Sequence, residues 1–353
     1  MRCALLPSGW LRRAQASRHG AESTDRIGCA RGFGCESSVN SPRPASRVFR
    51  EPGRALAQSR RAATLRAHAR RARPLPLMSA ARPRPAAPPG LALRPSERRA
   101  YEEDGFFVRE RAFGPEEVEA LCAAAERAAA RAGAAAAQPG ARRYEVDGNV
   151  YVEAAGSTLQ YEHRPGATTL RVVEPFHHLD PVLDALVDDA RLVEPMRGLV
   201  RAERVALWTD KLNLKRPREG SRFRWHQDSP YWAHACRHLD RLPNVMLALD
   251  EATEENGCFR VIRGSHRRGI LPGCEGEGAL GPLFTHPQAF DLSAQVAAAV
   301  PAGSLVFFSP HTVHGSEPNR SDRPRRAFVL TYQPGGHAMF KVPREREAGA
   351  PPA

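Results

Sequence analysis

The chain has 353 residues, 42% of them hydrophobic, enough for one sizeable domain or two small ones. Its net charge of +13 suggests nucleic acid, but residues 1–77 hold sixteen Arg against four acids, so the body is nearly neutral and offers no basic face for DNA or RNA. No apolar run reaches the length of about 18 residues that a membrane span needs, and the seven Cys are scattered, odd in number and free of Cys-x-x-Cys, which predicts reduced thiols in an intracellular compartment and not a disulfide framework.

Residues 1–77 are rich in Arg, Ser and Ala, poor in acids and without Lys. They offer too little periodic apolar surface to offset chain entropy, so a disordered leader is expected. Two readings compete: a transit peptide to mitochondria or another organelle, or a start placed too early, with translation from Met78 giving a cytoplasmic protein. The second is favoured. Residues 78–95 read as a Pro/Ala linker, 96–345 as the folded domain and 346–353 as a disordered tail.

From Ser96 the pattern becomes globular. Ser96–Asp104 predicts a short helix closed at Gly105, and Phe106–Val108 a strand. Pro115–Ala132 predicts a strong helix, with Pro in the first turn, Glu116 and Glu117 at the positive end of the dipole, and Gly133 as its stop. Residues 134–140 read as a loop. Asp147-Gly148-Asn149 predicts a hairpin turn between Tyr144–Val146 and Val150–Val152.

A strand is expected over Thr168–Val173, a helix opening at Asp180-Pro181, and another within Asp189–Val200. Strands follow at Val205–Leu214, Phe223–Asp228, Val245–Asp250, Phe259–Ile262, Ser304–Phe308 and Ala327–Tyr332. Helices first and short strands afterwards predict an α+β fold with a two-sheet jelly-roll barrel. Arg267–Ala299, the least patterned stretch, reads as an insert over the barrel mouth with a short helix.

The chemistry centres on His226-Gln227-Asp228. In an extended strand His226 and Asp228 would share one face, with Gln227 on the other. An imidazole beside a carboxylate supplies two ligands of the facial triad that holds non-haem Fe(II) and leaves positions open. The third is expected from a distant His on another strand, and His314, in Pro310-His311-Thr312-Val313-His314-Gly315-Ser316, is the best candidate. Zinc accepts the same ligands, so residue types alone do not name the metal.

His226-x-Asp228, then His314-Gly315-Ser316-x-x-Asn319, then Arg325 eleven residues after His314, together resemble the phytanoyl-CoA dioxygenase family of Fe(II)/2-oxoglutarate oxygenases. Asp104-Gly105-Phe106-Phe107, Asn256-Gly257-Cys258 and Gly264-Ser265-His266 extend the resemblance in order from about Ser96 to Tyr332. It implies a double-stranded β-helix (jelly-roll, cupin-like) barrel with flanking N-terminal helices. It implies Fe(II) at His226, Asp228 and His314, with 2-oxoglutarate and O2 as cosubstrates. Arg325 would grip the far carboxylate of 2-oxoglutarate, with Ser316, Arg171, Leu212 and Met246 also near it, and Arg326 would point away. The implied reaction hydroxylates an unactivated C–H of a small organic or acyl substrate and releases succinate and CO2. Asp228 favours hydroxylation, because related halogenases carry Ala or Gly there.

Other residues read more blandly. His311 is expected as a supporting or surface His, His266 in a turn contact, and His234 and His238 as polar residues at the mouth. Trp225, Tyr231 and Trp232 line the pocket or pack in the core. Lys211 and Lys215, with Arg216 and Arg218, read as a solvated strand edge in preference to a contact with an anion. The partner is expected to be a small molecule, with neither nucleic acid nor membrane, and a monomer is favoured. The alternative is a non-catalytic binding or scaffold module of the same fold.

Overall fold

The computed structural model describes residues 90–349. The leader, Met78, most of the linker and residues 350–353 lie outside the described residues. The helices are α1 (Pro95–Asp104), α2 (Pro115–Ala136), α3 (Pro181–Leu186), α4 (Ala190–Val200) and the short α5 (Ser229–Trp232). Among the described residues no helix is long and apolar enough to cross a membrane.

Pro115 opens α2, and the Glu117 carboxylate accepts the Gly114 N–H at 2.8 Å. The helix does not stop at Gly133 but runs on to Ala136. A helical Gly costs only about 1 kcal/mol against Ala. The run of four alanines that follows favours the helix, and Ala128, Ala129 and Ala132 are already buried against the sheet. Asp180 and Asp189 cap α3 and α4 by accepting the N–H groups of Val182 and Arg191.

The strands are β1 (Phe106–Arg109), β2 (Arg142–Val146), β3 (Asn149–Ala154), β4 (Ser157–Tyr161), β5 (Leu170–Glu174), β6 (Val205–Lys215), β7 (Phe223–His226), β8 (Asn244–Ala248), β9 (Phe259–Ile262), β10 (Gln295–Ala298), β11 (Leu305–Phe308), β12 (His314–Ser316), β13 (Arg325–Pro334) and β14 (Glu347–Ala348). The predicted hairpin joins β2 to β3, with Asp147 and Gly148 at φ 49° and 77°, the paired positive values of a tight hairpin turn. β4 went unpredicted. Its first three residues, Ser157, Thr158 and Leu159, are all buried, so no alternation marks them.

The larger sheet runs β1-β11-β8-β13-β6-β5-β4-β3-β2, with β14 beside β6, and the smaller runs β10-β9-β12-β7. This is the two-sheet jelly roll expected, with α2–α4 packed on the outside of the larger sheet. Alternation sorts the two faces of that sheet. Leu212 and Leu214 of β6 and Phe328, Leu330 and Tyr332 of β13 join the helices in the main core. Met246 and Ala327 face inward with Phe106, Phe259, Val261 and Phe308.

Two expectations need correcting. The stretch 267–299 is not all insert: Gln295–Ala298 forms β10 and pairs with β9, completing the smaller sheet. Its single well-buried residue, Ala298, gave too weak a pattern to read as a strand. Nor is the tail wholly disordered. Glu347 and Ala348 pair with β6, the Arg346 guanidinium reaches Asp184 and Asp188, and Ala348 is buried in the main core.

Candidate active site

β7 and β12 are neighbours, and His226 and His314 are direct partners across them. Their ring centroids lie 4.1 Å apart. Asp228 arrives by a different route from the one predicted. The strand ends at His226, and Asp228 has helical backbone angles (φ −77°, ψ −31°) at the start of α5. The turn, not the pleat, brings its carboxylate back beside His226. The Asp228 and Ser229 N–H groups donate to the Pro310 carbonyl at 3.1 and 3.0 Å, fixing that turn to the loop before β12.

Gln227 points away, as expected. It donates to the carbonyls of Gly269 and His311 at 2.8 and 2.6 Å and accepts the Leu271 N–H at 2.8 Å. One donor atom from each of His226, Asp228 and His314 lies within 4.8 Å of the other two, and no other such group occurs among the described residues.

The hydrogen bonds set the tautomers. His226 Nδ1 lies 2.7 Å from the Arg224 carbonyl, and His314 Nδ1 lies 2.9 Å from the Thr312 carbonyl. A carbonyl only accepts, so each Nδ1 carries the proton and each Nε2 keeps a free lone pair. His314 Nε2 stands 3.8 Å from Asp228 Oδ2.

Burial, reinforced by His314, pushes the His226 imidazole down to about 3, and burial also lowers His314. Burial pushes the Asp228 carboxyl upward, but Lys211 and the two imidazoles outweigh it and hold it below its usual range. All three groups are therefore deprotonated near neutrality, the state a metal requires. Asn244 donates to Asp228 Oδ2 at 3.1 Å and so orients the carboxylate. Two neutral imidazoles and one carboxylate, lone pairs converging, fit a divalent cation.

Three basic side chains, Arg171, Lys215 and Arg325, are also buried. Arg325 opens β13 on its inward face and is 4% exposed, and Arg326 points outward to Asp250 and Glu126, as expected. Directly across the ladder from Arg325 is Lys215, which is fully buried. The expected solvated edge is thus wrong for Lys215: β6 is a central strand, and its inward positions face the barrel. Charged residues at strand ends usually reach water, so the sequence carried no sign of this.

The Lys215 ammonium donates to the Glu317 carbonyl. Burial, Arg325 and Arg171 push its pKa down to about 5. Burial likewise lowers Arg325 to about 10. Arg325 Nε and Ser316 Oγ are buried with no hydrogen-bond partner. Unpaired buried donors beside a guanidinium and an amine that a bound anion would recharge fit a carboxylate ligand.

Arg171 also faces inward. β5 has an extra residue opposite the Gln160–Tyr161 step of β4, and this bulge re-aims Arg171. Its terminal nitrogens are taken by Ser221 and the Arg222 carbonyl, with Glu162 at 3.8 Å, leaving only Nε unpaired.

Leu212 is a correction. It lies on the outward face of β6, fully buried in the helix-side core, because Lys211, Asn213 and Lys215 take the inward positions. Met246 faces inward but packs among Phe106, Phe259 and Phe308. Trp225 packs beside Phe290 in an outer cluster and Trp232 is core, while Tyr231 stands half-buried, its ring 6.0 Å from that of His226. His311 supports the site from behind, bonding Ser229 Oγ and Asp240 at 2.9 Å each. His266 holds a turn by its contact with the Glu102 carbonyl. Lys211, also expected at a solvated edge, reaches inward to 3.5 Å from Asp228 Oδ1.

The chain is similar to known proteins over this same region. The family model described as phytanoyl-CoA dioxygenase (PhyH) matches residues 101–327. An ectoine dioxygenase of Bordetella parapertussis is 31% identical over 264 residues, covering 68% of this chain and 75% of that protein. An L-proline trans-4-hydroxylase of Streptomyces griseoviridis is 29% identical over 200 residues, covering 49% of this chain and 73% of that protein. The crystal structure of EctD from S. alaskensis in its apoform shares the fold, with a TM-score of 0.53 at 24% identity, over 74% of this chain and 90% of that one.

Proposed function

Because the chain belongs to the phytanoyl-CoA dioxygenase family of iron(II)- and 2-oxoglutarate-dependent oxygenases, we propose that it hydroxylates an unactivated C–H bond of a small organic substrate, releasing succinate and CO2. The observation that carries this reading is the convergence of His226, Asp228 and His314, with both Nε2 lone pairs free. These three residues would hold Fe(II), and with 2-oxoglutarate the metal supplies the O2-activating chemistry that places one oxygen on carbon.

The chain's own contribution is placement. The backbone carbonyls of Arg224 and Thr312 hold the imidazoles in the ligating tautomer. Asn244 and Lys211 hold the carboxylate. Arg325 would grip the far carboxylate of the cosubstrate with its planar fork, and Ser316 would donate beside it. Lys215, recharged by the bound anion, would add a second cation opposite Arg325, where the sequence reading had ranked an anion contact below a solvated edge. Arg171, its terminal nitrogens already engaged, would act by its charge and as a brace. The apolar wall of Met246, Phe259, Phe308 and Ala327 keeps water from the inner side. The small polar substrates in the names of the relatives, ectoine and proline, support a small-molecule substrate.

The test is succinate formation by purified protein given Fe(II), 2-oxoglutarate and O2. Turnover, coupled or uncoupled, should depend on both additions and vanish in His226→Ala. Protein that binds iron yet never consumes 2-oxoglutarate would instead be a non-catalytic binding module.

A further inference from the structure

We propose that Lys211 receives an oxyanion carried by the substrate, so that the enzyme acts on small anionic molecules bearing a carboxylate, phosphonate or sulfonate. The inference rests on the reading of the site given above and adds the substrate class.

Lys211 and Lys215 both take inward positions on β6 and lie four residues apart, roughly 13 Å along an extended strand. Lys215 is fully buried beside Arg325, at the end assigned to the cosubstrate. Lys211 lies at the other end. Its side chain is 26% exposed against 5% for Asp228, so of the two it lies nearer the solvent side of the metal point. It sits 3.5 Å from Asp228 Oδ1 and 5.9 and 5.7 Å from the ring centroids of Tyr231 and Trp232. A group bound against this ammonium would therefore lie beside the metal and across from the cosubstrate, where the reacting carbon must be.

Charge balance points the same way. Before metal binds, Asp228 is the counter-charge of Lys211. Once that carboxylate ligates a divalent cation its charge is shared, and the ammonium is left next to a second positive centre. Glu174 acts on Lys211 only from further off. Its oxygens are already taken by Lys341 and by Thr209 Oγ1, each at 2.8 Å. A largely buried cation with its partner diverted is costly unless another anion arrives. A neutral aliphatic chain would leave it unpaired.

The inner side of the site cannot serve as the substrate chamber. Phe308 and Phe259 pack against the His314 ring at centroid distances of 5.0 and 5.3 Å, and that wall is closed. The open side presents the Lys211 ammonium and the half-buried Tyr231, a polar setting suited to a small oxyanion.

The experiment uses the whole protein loaded anaerobically with Fe(II) and one equivalent of 2-oxoglutarate per site, in buffer free of any other carboxylate. Propionate, methylphosphonate and methanesulfonate are titrated against propionamide, and tryptophan fluorescence reports binding through Trp232. The oxyanions should bind at least about tenfold more tightly than the amide, the scale of one charged hydrogen bond. Lys211→Met should lose that preference and Lys211→Arg should keep it, each read on protein first shown to be saturated with Fe(II). If Lys211→Met keeps the preference and instead weakens Fe(II), Lys211 merely positions Asp228 and the proposal fails. It also fails if wild-type protein forms succinate but binds amide and anion alike. Wild-type protein that binds no iron defeats the earlier reading, and this one with it.

Discussion

Arg325 and Lys215 are ladder partners across β13 and β6, and both are buried. Like charges directly opposite on neighbouring strands are destabilising, and Lys215 gives up its proton in the empty site in part for that reason. No carboxylate separates them: Glu162 is nearest Arg171, and the Glu317 contact to Lys215 is a backbone carbonyl. Lys215→Met should therefore weaken 2-oxoglutarate binding by about 10- to 100-fold, the range of a charge-assisted hydrogen bond. Without cosubstrate it should melt close to wild type. Thermal melts with and without 2-oxoglutarate check both statements, and an unchanged cosubstrate shift would remove Lys215 from the site.

The same pair predicts proton uptake. Lys215, with Arg325, Arg171, Glu162 and Glu317 around it, is pushed down to about 5, far below the roughly 10.4 of a free lysine. Between those values the amine is neutral when folded and charged when unfolded, so this group makes stability rise with pH across that window. A bound dicarboxylate should recharge the amine. Binding of 2-oxoglutarate near neutrality should thus take up about one proton. Calorimetry in two buffers of different ionisation enthalpy counts it, and Lys215→Met should show none.

At the metal point, His226→Ala, Asp228→Ala and His314→Ala should each abolish tight Fe(II) or Mn(II) binding and all succinate formation, while circular dichroism stays native. In wild-type protein, chelation should lower the melting temperature. Metal at a hundred times its dissociation constant adds about 2.7 kcal/mol of stability. A melt indifferent to metal in wild type would argue against the three residues as ligands.

Gly257 has φ 76°, and a Cβ there would stand 2.2 Å from the Glu317 carbonyl oxygen and 2.9 Å from Lys215 Nζ. Gly257→Ala should cost at least about 2 kcal/mol from backbone conformation and collision together. It should also weaken 2-oxoglutarate binding by displacing the Lys215 ammonium. Denaturant unfolding and cosubstrate titration measure the two effects separately.

Leu212→Ala tests the placement of this side chain on the helix side of the sheet. A fully buried core leucine on the helix side should lose about 2–5 kcal/mol, with the KM for 2-oxoglutarate unchanged. A raised KM at unchanged stability would return Leu212 to the cosubstrate pocket.

Much of the fold was legible in the sequence because its signals are local. Asp147-Gly148 set a turn, Pro115 opened a helix, and the short strands were punctuated by turn residues. His226 and His314 were legible as a pair of residue types at a recognisable spacing. The conformation of Asp228 was not, since a helical turn after a strand of four residues leaves no periodic trace. Lys211 and Lys215 were missed for a related reason. Alternation tells which residues share a face, but whether that face looks into a barrel or out to water depends on strands far away in sequence. Leu212 failed on the same point, one residue out of phase with its neighbours.

β7 is an edge strand of four residues that borrows most of its ladder from β12. A cation clasped between His226 and His314 would rivet that edge to the interior of the smaller sheet. Stripping the ion should then loosen the rim locally: amides of Phe223–His226 would exchange with solvent long before those of β6 or β13. Loading the ion would be the last stitch of assembly, fastening the rim of the smaller sheet.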